Sequence, residues 1–154
     1  MKSPALPAEG GCRCGQLRFR LTKAPLLTSA CHCTGCQKMS SSAYSLTIMA
    51  PADGFEVTRG EPVIGGLHGP QAHHHFCPHC MSWVFTRAEG MDWFVNVRAT
   101  MLDDPSWFEP FMETFVGEGL PWARTPARHS FPVLPEPEGW RDLMSAYAEA
   151  AAKG

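Results

Sequence analysis

The chain has 154 residues, 44% of them hydrophobic and 18% charged, which supplies one packed core and rules out a wholly disordered segment. Thirteen basic and 15 acidic residues leave a formal charge of −2. No Lys/Arg cluster stands out, so nucleic acid and anionic membranes are poor candidates for the main partner.

In chain order, residues 1–9 read as a flexible start, with no apolar h-region and no cleavage site. No stretch approaches the roughly 20 apolar residues of a membrane span. A soluble, cytoplasmic protein is expected. Leu17, Phe19 and Leu21 alternate with Gln16, Arg18 and Arg20, the period of a half-buried strand. Further strands are expected over residues 26–30, 43–49, 55–58, 72–76, 83–86 and 93–97. Turn signals such as Ala52-Asp53-Gly54, Gly65-Gly66 and Glu89-Gly90 punctuate them. Many short strands between Gly-rich turns predict a mainly β domain. It should cover residues 10–135, with a helical extension over 136–154 packed on it. There Trp140, Leu143, Met144, Tyr147, Ala148 and Ala151 follow helical spacing.

All seven cysteines fall in three short motifs: Cys12-Arg13-Cys14, Cys31-His32-Cys33-Thr34-Gly35-Cys36, and Cys77-Pro78-His79-Cys80. An odd number in a reducing compartment argues against a disulfide framework. In extended backbone, residues i and i+2 project to one face, so each C-x-C offers two sulfurs to one ion. Clustered thiolates select zinc or an iron–sulfur centre. A structural zinc takes four ligands and a catalytic zinc commonly three, so seven suggests one closed site and one open site. A rubredoxin-type iron site from Cys33, Cys36, Cys77 and Cys80 would orphan the other three cysteines. Cys12 and Cys14 can pair with Cys77 and Cys80 or with Cys33 and Cys36. Locality favours the first partition, because Cys31, Cys33 and Cys36 converge with little closure entropy.

The three motifs, with Leu102-Asp103-Asp104-Pro105 and Pro121-Trp122, resemble the glutathione-dependent formaldehyde-activating family, which also includes centromere protein V. The resemblance spans roughly residues 10–125. It implies a β-tent of packed antiparallel sheets with zinc knuckles. It further implies a structural zinc on Cys12, Cys14, Cys77 and Cys80 and a second, open, catalytic zinc on Cys31, Cys33 and Cys36. The chain departs from the family pattern at Met81, where a glycine is usual and φ > 0 is wanted. It departs again at Ser40-Ser41 and Thr100-Met101, beside the second site.

Among the remaining candidates, His73-His74-His75 alternate across a strand and read as an exposed patch. His32 should point away from the ion shared by its neighbours, and His79 should face solvent. Trp83, Phe85, Trp93 and Phe94 read as core, and Asp103-Asp104 as a solvated cap.

A metal-held thiolate next to an aldehyde is placed for addition, giving a hemithioacetal without a separate general base. The resemblance names the thiol as glutathione and the aldehyde as formaldehyde, a carbon–sulfur lyase-type reaction. His32 and Tyr44 are candidates for orienting the adduct. The competing class is a non-catalytic zinc-binding or thiol-carrier module, which a fourth protein ligand at the second site would favour.

Overall fold

The computed structural model describes residues 1–67 and 71–153. Its strands are β1 (Ala8–Gly11), β2 (Arg18–Leu21), β3 (Leu27–Cys31), β4 (Ser45–Pro51), β5 (Phe55–Arg59), β6 (Val63–Ile64), β7 (Ala72–Phe76), β8 (Trp83–Ala88), β9 (Phe94–Arg98), β10 (Met112–Thr114) and β11 (His129–Ser130). Among the described residues, two α-helices, α1 (Thr34–Ser40) and α2 (Gly139–Ala152), complete it, together with three short 3-10 turns. The protein is mainly β, as its strand periodicity predicts.

The strands form a three-stranded antiparallel sheet, β1-β2-β5, and an eight-stranded sheet ordered β11-β10-β3-β4-β9-β8-β7-β6. The large sheet is mixed, because β10 runs parallel to both β3 and β11. The other pairings are antiparallel, in keeping with the expected packed antiparallel sheets. The connection into β10 is long enough to cross over, and a parallel pair needs such a crossover.

Alternation along the central strands gives the large sheet two different faces. Ile48 and Ala50 of β4 and Val95 and Val97 of β9 are buried against Phe19 and Leu21 of β2 and Phe55 of β5. This core joins the two sheets. On the opposite face Leu27, Met49, Phe94 and Met112 meet Leu143 and Tyr147 of α2. The Tyr147 ring stands edge-on to Phe111 at 5.6 Å. The helix therefore covers one end of that face, and the cysteine-bearing end of β3 lies at the other.

Two local outcomes differ from the sequence reading. Trp93 is 52% exposed, while Trp83, Phe85 and Phe94 are buried, so three of the four aromatics expected in the core lie there. Trp93 falls just before β9, where no facing layer covers it; its ring rests edge-on against Phe94 at 4.6 Å. The histidine run is not an exposed patch. His75 stacks on Phe85 at 4.4 Å, and His74 bonds Thr86 Oγ1 through Nδ1 at 2.9 Å. β7 is flanked by β6 and β8, which half-buries all three rings.

Candidate metal centres and the adjoining cleft

Cys12, Cys14, Cys77 and Cys80 come together with every sulfur within 4.8 Å of the others. The Sγ–Sγ separations are 3.5 Å for Cys12–Cys14 and 3.7 Å for Cys14–Cys77. A tetrahedral ion with metal–sulfur bonds of about 2.3 Å needs sulfurs about 3.8 Å apart, so the set fits one. Both halves are folded tightly around the sulfurs. Gly15 N–H donates to the Cys12 carbonyl at 2.9 Å, and Met81 N–H to the Cys77 carbonyl at 3.0 Å. Leu17 N–H donates to Cys12 Sγ at 3.3 Å, and Ser82 Oγ lies 3.2 Å from Cys80 Sγ.

Gly15 and Met81 both have positive φ, 74° and 56°, so the second knuckle demands the left-handed backbone although no glycine supplies it. Met81 is 56% exposed, which leaves room for its side chain. Since Cys12 follows β1 and Cys77 follows β7, this cluster ties the small sheet to the large one. His79 is exposed, in agreement with its position inside a knuckle. Nearby, Asp103 pairs through both oxygens with Arg18, and Asp104 accepts from Ser106 N–H at 3.0 Å. Both carboxylates therefore do structural work at the surface.

Cys31, Cys33 and Cys36 form a second set, again with sulfurs within 4.8 Å of one another. Among the described residues, no fourth cysteine, histidine or carboxylate donor joins it. Three thiolates this close repel one another, so the set can ionise fully only around a cation. Cys31 ends β3 and Cys33 caps α1, its sulfur accepting Cys36 N–H at 3.3 Å. The loop is held from outside by Gln37, whose amide donates to the His32 carbonyl at 2.7 Å and the Glu118 carbonyl at 3.0 Å. Thr34 N–H adds a bond to the Glu118 carboxylate at 2.7 Å.

The protons of the three thiols are unequally held. Hydrogen bonding from Cys36 pulls the Cys31 thiol down to about 5, with the Cys33 backbone and the Thr114 hydroxyl helping against the cost of burial. The same contact with Cys31, joined by burial, pushes Cys36 up. Burial raises Cys33. Binding a cation draws the protons off all three, because the thiolate is the ligand form.

Arg98 is the charged neighbour that the motifs do not reveal. It ends β9, is 7% exposed, and its guanidinium lies 4.2 Å from the centre of the Trp83 ring. Nη1 donates to Ser45 Oγ at 3.2 Å, and Ser45 borders the cleft with Cys36, where its hydroxyl favours the ionised form of that thiol. Burial lowers Arg98 to about 10, opposed by the nearby Cys36 and Cys31, so it stays a cation at neutral pH. No carboxylate pairs with it among the described residues, and its Nε is buried without a hydrogen bond. An unpaired buried cation is costly; an anionic trithiolate–metal group is the counter-charge that its position fits.

His32 turns the other way. It is 2% exposed, its Nε2 lies 3.1 Å from Glu113 Oε2, and its ring stands edge-on to Tyr44 at 5.1 Å. This is the expected orientation away from the sulfurs. Neither His32 nor Tyr44 lines the space beside the trithiolate set; Tyr44 borders a separate hollow with Ser45 and Arg98.

That space is a cleft of about 240 Å³ on the α2 side of the large sheet. Cys31, Cys36, Ser45, Arg98 and Thr114 form its polar end. Leu134 and Trp140, at the start of the C-terminal segment, border its apolar end. The lining alternates along the sheet: Ser45, Thr47 and Met49 on β4, and Phe94, Asn96 and Arg98 on β9. Polar residues at the parity opposite to the core were the available sequence signal for this wall, and the metal motifs overshadowed it.

Fold and cysteine sets together define a two-sheet β protein able to hold two metal ions, one enclosed by four thiols and one held by three beside a cleft. The family model described as glutathione-dependent formaldehyde-activating enzyme matches residues 7–118, and the chain belongs to that family. A crystal structure of a Rhodobacter sphaeroides protein is similar in fold, with a TM-score of 0.50 and 18% sequence identity, covering 62% of this chain and 87% of that one. No curated protein matches the sequence. No helix among the described residues is long and apolar enough to cross a membrane.

Proposed function

We propose that the chain holds zinc in both cysteine sets and uses the Cys31, Cys33 and Cys36 site to join a small thiol to an aldehyde. By family membership the thiol is glutathione-like and the product an S-hydroxyalkyl adduct, which makes the protein a carbon–sulfur lyase-type enzyme acting in the cytoplasm. The observation that carries this reading is the convergence of three thiols, with no fourth cysteine, histidine or carboxylate donor among the described residues, at one end of a cleft. Zinc bound there supplies a coordination place in which a thiol loses its proton near neutral pH.

The chain's own residues then do three things. Arg98, through Ser45, places positive charge behind Cys36 and offsets the negative charge that a further thiolate brings. The Thr114 hydroxyl, a neutral donor, favours the ionised form of Cys31. The cleft walls hold the aldehyde against the sulfur and shield the pair from water, the source of most of the rate gain in a two-reactant addition. In the addition, the thiol sulfur forms one bond to the carbonyl carbon and the C=O π pair moves to oxygen. That oxygen takes up one proton, equal to the one the thiol released. No electrons are gained or lost, and no redox cofactor is required.

Exchange NMR of glutathione and formaldehyde tests this. Zinc-loaded protein should raise the interconversion rate in proportion to its concentration, and Cys33→Ser protein should not. Uncatalysed rates at every concentration of wild-type protein would instead favour a thiol-carrying module.

A further inference from the structure

Cys31 and Cys36 occupy only one end of the cleft. The other end is built from Leu27, Met49, Phe94, Met112, Leu134 and Trp140, none of which carries a charge. Leu27, Met49, Phe94 and Met112 belong to the hydrophobic cluster beneath α2, and Trp140 packs against it. Leu134 and Trp140 lie beyond residue 118, where the family match stops. The apolar end is therefore completed by a segment outside the family match.

Size decides what such a cleft can hold. A one-carbon aldehyde fills little more than a single water's ~30 Å³ share. This cleft measures about 240 Å³, whereas an apolar cavity of about 150 Å³ suffices to bind benzene. Formaldehyde would leave the apolar end filled with poorly satisfied water, and the charged arms of a peptide thiol would find no partner there. An aryl or medium alkyl group satisfies both constraints.

We infer that the aldehyde partner carries an apolar, ring-sized substituent, which lies along Met49, Phe94 and Met112 towards Trp140 while its carbonyl faces Cys31 and Cys36. The inference rests on the thiol–aldehyde reading of the site and narrows its substrate class. In the adduct, the new carbon–sulfur bond forms at the polar end, the carbonyl oxygen becomes a hydroxyl near Arg98 and Ser45, and the substituent stays buried. The thiol's polar arms leave through an adjoining hollow, which shares Cys36 and His74 with the cleft and is bordered by Cys33 and Lys38.

The test uses zinc-loaded full-length protein labelled with ¹³C at the methionine methyls, titrated with benzyl alcohol, an unreactive stand-in for benzaldehyde, and separately with methanol. Met49 and Met112 line the cleft and Met91 does not, so the label reports location without any turnover. The expected result is a saturable shift of the Met49 and Met112 methyls with benzyl alcohol, none with methanol, and none at Met91. Trp140→Ala should weaken the benzyl alcohol affinity at least fivefold. Absent shifts, equal shifts with methanol, or movement of Met91 alone would overturn the inference, and the wild-type titration gives that answer even if the variant does not fold.

A parallel rate measurement separates the two levels. Greater acceleration over the uncatalysed rate for benzaldehyde than for formaldehyde supports the inference. Acceleration of formaldehyde alone, with no benzyl alcohol binding, leaves the proposed reaction standing and removes the apolar substrate. Methionine shifts without acceleration of any thiol–aldehyde pair remove the reaction, and with it the assignment of the bound group as an aldehyde.

Discussion

Replacing Cys77 by Ser should destabilise the protein about twice as much as replacing Cys33 by Ser, although each change removes one sulfur from one cluster. The difference comes from the chain that each cluster closes. Cys14 and Cys77 are in contact across 63 residues, whereas Cys31, Cys33 and Cys36 lie within a six-residue stretch. Treating each zinc as a cross-link on the unfolded chain, the long loop is worth about 4 kcal/mol and the short one about 2 kcal/mol. For a chain of this size those figures correspond to melting-temperature losses of roughly 8–16 °C and 4–8 °C. The longer cross-link also joins the ends of β1 and β7, so its loss loosens one sheet against the other. Circular-dichroism melts of the zinc-loaded proteins, with bound zinc counted before each melt, read both numbers. A Cys77→Ser melt within about 2 °C of wild type, or a larger loss for Cys33→Ser, would refute the assignment of the structural role.

Three further outcomes follow from local geometry. Met81→Gly should stabilise the protein by about 0.5–1 kcal/mol in denaturant titration. Release of the left-handed backbone at φ 56° outweighs the added freedom of the unfolded chain, and the exposed side chain loses little burial. Leu143→Ala should cost about 2–4 kcal/mol by the same measurement, since Leu143 is 7% exposed in the cluster that seats α2. Glu113 should make the fold acid-sensitive. Against the cost of burial, hydrogen bonds from Thr125, Ser130 and His32 hold its carboxyl below the usual value of 4.5. A depressed carboxyl contributes stability above its unfolded pKa and loses it as pH falls through the folded one. Wild type should therefore exceed Glu113→Gln by about 1–2 kcal/mol at neutral pH, with the gap closing below pH ~4.

The central strands were legible in the sequence because β-branched and aromatic residues concentrate between turn signals, and because one face is apolar while the other carries polar residues at its cleft end. β7 begins and ends at the expected residues, and β3, β4 and β9 differ by one or two positions at their ends. β1 was hidden by Gly10 and Gly11, which weaken any strand signal. They are needed there because a Cβ at Gly10 would stand 2.4 Å from the Phe19 ring. β10 and β11, three and two residues long, hold their places by pairing rather than by propensity, and a parallel pairing leaves no local hairpin signal. The cysteine partition was readable from spacing and locality, since ligand chemistry is concentrated in a few residues. Arg98, Ser45 and Thr114 were not, because their contacts with the trithiolate set depend on three strands meeting side by side. A charged residue closing the strand Phe94-Val95-Asn96-Val97 was the faint signal, and it points to a buried partner without naming one.

The claim on which the account depends is that Cys31, Cys33 and Cys36 hold a zinc whose fourth ligand comes from a substrate thiol. Anomalous diffraction at the zinc edge, from crystals of the zinc-loaded protein grown with glutathione, measures this directly. The account predicts two zinc peaks, the second bonded to three protein sulfurs and to the sulfur of one glutathione at about 2.3 Å. A single peak at Cys12, Cys14, Cys77 and Cys80, or a second zinc closed by a fourth protein ligand, would contradict it.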